Sequence, residues 1–274
     1  MLDPDDSRIN ELVAGIRKSN KYQPITPDLI QHIGMQELAR HSNFKQAIKA
    51  TRTRLHQIGG AFLNAKINYT KWLNIFSAAP NMQDPIFIQN TCDMMRLHIS
   101  THERLPILEK FFTTTLKSIA PIHSVMDLAC GLNPLAIPWM PLAKNFTYYA
   151  CDIFEDMLTF LNDYFKLTQV DGLAFACDLS QSLPAQPVQL AYLLKTLPCL
   201  EQLDRQIGFN LIKNIQADHI LISYPVKSLG GREKGMLETY KQRFAELTQG
   251  RGWQIQTFEF STELAFLLSR LKQT

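Results

Sequence analysis

The sequence predicts an all-α N-terminal region followed by a doubly wound α/β sheet. Three observations predict it. From about residue 5 to residue 118, apolar residues recur at three- and four-residue spacing, with no alternating stretch that would mark a strand. After Pro121, short apolar, β-rich runs alternate with stretches of helical pattern, most of them helix-length, which is the order of a mostly parallel sheet. The last two of these runs are joined by two or three residues around Ser261 and Thr262, too few for a crossover helix, so they form an antiparallel hairpin.

The helical part divides at prolines and polar breaks: Pro24 to Asp28, Asn64 to Thr70, and Ala79 to Pro85. Thr26-Pro27-Asp28 is a helix start, a capping residue followed by proline at the first helical position. The strands are expected at Ser124 to Ala129, Thr147 to Cys151, Leu173 to Cys177, Leu190 to Lys195, His219 to Tyr224, Gln254 to Phe260 and Leu264 to Leu268. The organisation is therefore a helical region, 1–118, and a sheet domain, 119–274. With 274 residues, 46% of them hydrophobic, the chain buries a substantial core and is not disordered.

The formal net charge of +3 hides an asymmetry. Between Arg8 and Lys71 there are eleven bases and three acids, an excess that favours a polyanionic partner over a plain solvated surface. The opening MLDPDDSRIN is acidic where an export signal would be basic and then apolar. The most apolar run, Leu135 to Ala143, is broken by Pro138 and Pro141, so no membrane span is expected. The five cysteines are odd in number and lack CxxC spacing, which reads as reduced thiols of a cytoplasmic protein, with neither a disulfide framework nor a metal site.

The strongest local feature is the run from Met126 to Pro134, a strand leading through Asp127 and Ala129 into a turn at Gly131. A glycine at the carboxyl edge of a doubly wound sheet lets the backbone approach a ligand closely. The next two strands also end in an acid, Cys151-Asp152 and Cys177-Asp178. An acid after the second strand is placed to accept from ribose hydroxyls, and one after the third to lie near an adenine amino group. The alternative is that each aspartate caps the following helix, which suits one more easily than three. A dinucleotide is the nearest competing ligand, but the turn lacks GxGxxG spacing, so a phosphate-free cofactor such as S-adenosylmethionine fits better.

Lys195 ends an otherwise apolar strand, so its charge must reach a cleft or bear a large burial cost. The stretch from Ser223 to Met236 holds three glycines and three bases within ten residues, a flexible cationic loop at the same sheet edge, suited to phosphate or base contact. By pattern alone, His98 and Arg104 read as surface residues of a linking helix.

The segments SNKY (19–22), TRTRLH (51–56), LHISTHERL (97–105), DLACGLNPLA (127–136), CDI (151–153), LKTLP (194–198), YPVKSLGGREKGM (224–236) and STEL (261–264) resemble, in order and spacing, the aminoglycoside-resistance 16S rRNA (guanine(1405)-N(7))-methyltransferases. The resemblance covers nearly the whole chain. It implies a class I, Rossmann-like S-adenosylmethionine methyltransferase sheet and a helical region that docks on the 30S subunit. It further implies a cofactor site of His98, Arg104, Asp127, Ala129, Gly131, Asp152, Ile153, Asp178, Leu179 and Lys195. In that site Arg104 pairs with the methionine carboxylate, Asp152 holds the ribose, and Asp178 with Leu179 holds the adenine. RNA contacts would come from Lys195, Lys227, Arg232 and Met236 at the target base, and from Lys21, Arg52 and Arg54 on the docking surface. One departure is Glu201-Gln202, where relatives often carry arginine at the second position; Arg205 is the candidate substitute.

Guanine N7 carries a lone pair at neutral pH, so transfer needs no general base, only alignment and exclusion of water. This agrees with the lack of a Ser-His-Asp, Cys-His or metal-ligand pattern. A paired target base must be flipped out at a cost of a few kcal/mol, so the expected substrate is 16S rRNA within the intact 30S subunit, bound by a monomer. Two other readings stay open: a methyltransferase of another decoding-site position such as adenine N1, and an inactive RNA-binding protein on the same fold.

Overall fold

Among the residues described by the computed structural model, 7–60, 66–226, 236–250 and 252–271, seven α-helices precede the first strand. They are α1 (Ser7–Arg17), α2 (Pro27–Arg40), α3 (Phe44–Leu55), α4 (Tyr69–Ser77), α5 (Pro85–Met95), α6 (Ile99–Arg104) and α7 (Leu108–Thr115), with a π-helical turn, His56–Gly60, after α3. Their starts are local chemistry. The side chains of Asn43, Asn68 and Asp84 accept from backbone N–H groups of the first turns of α3, α4 and α5, donors that would otherwise be unpaired. Pro27 opens α2 as expected, but the Thr26 side chain makes no capping bond. Proline at the first position needs no donor there, so its fixed φ starts the helix alone.

All seven expected strands form: β1 (Ile122–Leu128), β2 (Leu142–Asp152), β3 (Asp171–Ala176), β4 (Val188–Leu194), β5 (Ala217–Pro225), β6 (Trp253–Glu259) and β7 (Glu263–Arg270). They lie in the order β3-β2-β1-β4-β5-β7-β6, parallel except for β7, which runs antiparallel to both β5 and β6. The C-terminal hairpin is therefore as expected. Helices α8 (Glu155–Thr168), α9 (Leu197–Leu200), α10 (Gln206–Asn214) and α11 (Met236–Thr248) occupy three of the connections. The other two differ from a regular alternation. The β1–β2 link is a 3-10 segment, Asn133–Trp139, and the β3–β4 link holds no helix. Pro138, inside the first segment, and Pro184 and Pro187 in the second remove donors that an α-helix needs.

Strand order reverses between β1 and β4, so a crevice opens at their carboxyl ends. The helical region packs on one face of this layer and shares its core. Phe76 of α4 has its ring centroid 5.2 Å from Phe87 of α5, and 6.4 and 5.4 Å from Phe160 and Tyr164 of α8. Phe112 of α7 meets Tyr192 of β4 at 6.0 Å. On the opposite face, Phe244 of α11 stacks on Phe266 of β7 at 3.7 Å. Near the crevice, the Thr26 N–H donates to the Ile153 carbonyl at 2.9 Å and the Glu155 N–H to the Pro24 carbonyl at 2.7 Å, stitching the start of α2 to the end of β2. No described helix is long and apolar enough to cross a membrane.

Phe76 is fully buried where helical region and sheet layer meet. Phe76→Ala should cost about 3–5 kcal/mol in urea unfolding, and a loss below about 1 kcal/mol would contradict a shared core.

Candidate active site

The three strand-end acids converge on the crevice, and none caps a helix. Asp152 accepts from the Gly131 N–H at 2.8 Å and from the Ile153 N–H at 2.6 Å, so the turn after β1 is anchored to the end of β2. Burial raises the Asp152 carboxyl, and these backbone donors offset part of that rise. Asp127 accepts from the Tyr148 hydroxyl at 2.7 Å and the Asn133 amide at 2.9 Å. Asp178 accepts from the Ser180 N–H at 2.9 Å and the Ser180 hydroxyl at 2.6 Å on one oxygen, and from His32 Nδ1 at 3.0 Å on the other. Burial raises this carboxyl, but the donors of His32 and Ser180 together outweigh it and leave it below the ordinary value.

The backbone is strained where these ends meet. Ala129, Gly131 and Lys195 all have left-handed φ, 53°, 51° and 60°. Non-glycine residues hold that conformation at a cost of about 1–3 kcal/mol, and such positions concentrate at ligand sites. Gly131 has a second requirement: a Cβ there would lie 2.8 Å from Cε1 of His98. The imidazole thus lies against the turn, and burial, then Lys195 and Arg104, push its pKa down to about 4.

His98 and Arg104, which by pattern read as surface residues of a linking helix, are buried; the correction has a physical cause. Arg104 is fully buried because Glu263, on the first position of β7, takes its Nε at 2.8 Å and its Nη2 at 3.1 Å, a bidentate pair with both side chains inaccessible. Arg104 Nη1 donates to Asn133 at 2.9 Å, which links the pair to Asp127. Lys195 lies 3.3 Å from the same Glu263 oxygen and donates to Glu103 at 2.7 Å and to the Ser100 carbonyl at 3.1 Å. Burial would raise the Glu263 carboxyl, but Arg104 and Lys195 outweigh it and hold it below the ordinary range. Glu263, Asn133 and Tyr148 were not anticipated as site residues, although an acid opening an otherwise apolar strand carries the same signal that marked Lys195.

Of these groups, His98, Arg104, Asp127, Asp152, Asp178 and Lys195 line one cleft. Leu179, Ile153 and Leu200 give it apolar walls, and Leu29, Ile58 and Gly59 from the helical region close one side. A Cβ on Gly59 would stand 2.8 Å from Ile153, which explains the glycine in the π-helical turn. The contents match a nucleoside carrying an amino acid. Arg104 uses three of its five N–H groups on Glu263 and Asn133, leaving two for an anion. Asp152 and Asp178 supply acceptors at the other end.

The remaining candidates lie elsewhere. Lys21, Arg52 and Arg54 gather around the C-terminal half of α3. Lys21 is exposed and 3.1 Å from His56 Nδ1, Arg52 donates to the Gly15 carbonyl at 3.2 Å, and Arg54 is paired with Glu37 at 2.8 Å. Lys227 and Arg232 lie outside the described residues, and Met236 is the half-buried first residue of α11. Arg205 is exposed, while Glu201 is held by Arg243 at 2.9 Å.

A family model described as ribosomal RNA methyltransferase (FmrO) matches residues 18–267. The chain belongs to this family. Among FmrO relatives, a 16S rRNA (guanine(1405)-N(7))-methyltransferase of Micromonospora rosea is 34% identical over 97% of this chain and 98% of its own length. One of Serratia marcescens is 31% identical over 86% of this chain and 88% of its own length. Among solved structures, the 16S rRNA methyltransferase RmtF in complex with S-adenosyl-L-homocysteine superposes with a TM-score of 0.82 at 28% identity, over 97% of this chain and 99% of that one. The 16S rRNA methylase RmtB gives 0.78 at 26% identity, over 96% and 98%. No cluster suited to a metal ion occurs among the described residues.

Burial, opposed by the bonds from Asn133 and Tyr148, pushes Asp127 up to about 7. Between its ordinary value near 4 and pH 7 the folded chain then binds more protons at this site than the unfolded chain, so stability falls as pH rises through that window and levels off above it. Asp127→Asn should remove up to about 4 kcal/mol of this dependence. Urea unfolding at several pH values checks it: wild-type and variant curves that stay parallel from pH 4 to 7 would refute the assignment.

Proposed function

We propose that this enzyme transfers the methyl group of S-adenosylmethionine to N7 of guanine 1405 in 16S rRNA, acting as a cytoplasmic monomer on the 30S subunit and conferring aminoglycoside resistance. The observation that carries the reading is the charge pattern of one cleft: a cationic end at Arg104 and Lys195 and an acceptor end at Asp152 and Asp178, in a chain alike over nearly its full length to guanine(1405)-N(7) methyltransferases. Arg104 offers its two remaining N–H groups to the methionine carboxylate. Asp152 takes the ribose hydroxyls, Asp178 and Leu179 the adenine, and Ala129, Gly131 and Ile153 the walls.

The bound cofactor supplies an electrophilic methyl on a sulfonium. Guanine N7 already has its lone pair free, so no side chain need take a proton first. The chain's task is to orient the base, exclude water and keep the cations in place. His98 suits this as a neutral ring over the Gly131 turn. The division into a docking region, 1–118, and a methyltransferase domain, 119–274, belongs to this proposal. In it Lys21, Arg52 and Arg54 meet rRNA phosphates, a contact that weakens steeply with salt, and Lys195, Lys227, Arg232 and Met236 surround the flipped guanine.

The test is mass mapping of 16S rRNA after incubating 30S subunits with enzyme and cofactor. One added methyl on guanine 1405 is expected, lost with Asp152→Ala and with the combined Lys21→Glu, Arg52→Glu and Arg54→Glu. A methyl on an adenine would select the adenine-N1 reading, and unmodified rRNA would refute the assignment.

A further inference from the structure

We propose that His32, on helix α2 of the N-terminal region, is the positioning residue that makes Asp178 selective for adenine, and that Arg54 holds His32 in the required tautomer through Gln36. The proposal rests on the reading above that Asp178 accepts the adenine amino group.

The geometry is a continuous chain of hydrogen bonds from the basic face of the helical region to the cofactor cleft. Arg54 Nη1 lies 2.7 Å from Gln36 Oε1, Gln36 Nε2 lies 2.7 Å from His32 Nε2, and His32 Nδ1 lies 3.0 Å from Asp178 Oδ2. The direction of every bond follows from its first member. A guanidinium only donates, so the Gln36 amide must turn its oxygen to Arg54 and its NH2 to His32. His32 Nε2 is then the acceptor, its one lone pair shared between Gln36 and the more distant Gln181 Nε2 at 3.0 Å. The ring proton must sit on Nδ1, the atom that faces Asp178. An imidazole with the other tautomer would set a lone pair against the carboxylate.

The consequence lies in the count at Asp178. A carboxylate offers about four lone-pair positions. Ser180 fills two on Oδ1 with its N–H and hydroxyl, and His32 fills one on Oδ2. One acceptor position remains on a side chain that lines the cleft, with the carboxylate fixed from both oxygens. A fixed acceptor favours a purine carrying an amino group at C6 and opposes one carrying a carbonyl there. Without His32, Oδ2 loses its restraint, and the carboxylate can turn or take a water that serves either purine.

Affinity for S-adenosylhomocysteine and for its inosine counterpart, measured by calorimetry, tests this on the wild type, Asp178→Asn, His32→Phe and His32→Asn. Phenylalanine keeps the ring and loses the donor; asparagine keeps an N–H near the Nδ1 position. The wild type should prefer the adenine ligand by about a hundredfold or more, the order expected when a mismatched ligand leaves a buried polar group unpaired. Asp178→Asn should lose the preference, His32→Phe should lose about tenfold of it, and His32→Asn should keep most of it. A wild type without the preference overturns the reading of Asp178 and this proposal with it. A preference abolished by Asp178→Asn but unchanged in His32→Phe overturns the proposal alone, as does an equal loss of affinity for both ligands. Nitrogen-15 NMR of the wild type gives a check that needs no variant: the Nδ1–H tautomer of His32 is expected, and the Nε2–H tautomer refutes the relay.

Discussion

The buried ion pair of Arg104 and Glu263 is the constraint on which the site depends. It joins the end of α6 to the first residue of β7 across 159 positions of sequence, and both side chains are fully inaccessible. Removing two charges from water costs several kcal/mol per ion unless geometry and further bonds compensate. Here they do so through a bidentate contact, Asn133 on the free side of the guanidinium, and Lys195 on a Glu263 oxygen. Two buried cations share one fully buried acid, while Glu103, the second partner of Lys195, is 36% exposed. Counted with Glu103 the cluster balances, two cations to two acids, so what it offers an anionic ligand end is the two unused N–H groups of Arg104 rather than a net charge. Asn133 passes the constraint on to Asp127 and Tyr148 under the turn at Gly131.

Much of this was legible in the sequence, for identifiable reasons. The strands showed because their apolar runs are short and bounded, and the acids at their ends stood out against them: Asp127, Asp152 and Asp178 all face the cleft. Lys195 was legible because a charge after Leu193-Leu194 has nowhere solvated to go. Arg104 and His98 were misread because helical spacing tells which residues share a face but not what covers that face. Their cover is Glu263 and the Gly131 turn, which follow far along the chain. Glu263 does not stand out within Ser-Thr-Glu-Leu, since one acid at a strand start is ordinarily solvated. That the β1–β2 and β3–β4 links hold no α-helix is written in the sequence as Pro138 and as Pro184 with Pro187, but the alternation of strand and helix masks it.

The helical region does more than present charge. Leu29, Ile58 and Gly59 wall the cleft, and the start of α2 is stitched by backbone bonds to the loop after Asp152. No local pattern could show this, because it is made by tertiary contact between residues far apart in the chain. It also changes how the basic excess is read. Lys21 is exposed, whereas Arg54 is 16% exposed and already bonded to Glu37 and Gln36, so these two basic residues face an RNA partner on different electrostatic terms. The proposed docking residues lie on α3 and in the turn before α2, adjoining in sequence the α2 and π-helical residues that wall the cleft.

The most direct test of the central claim is a double-mutant cycle in urea unfolding with Arg104→Met, Glu263→Gln and the two combined. Removing one partner of a buried pair strands the other, so each single change should cost about 3–5 kcal/mol. The double variant strands neither, and the coupling should reach about 2–3 kcal/mol. Additive losses, with coupling indistinguishable from zero, would contradict the account.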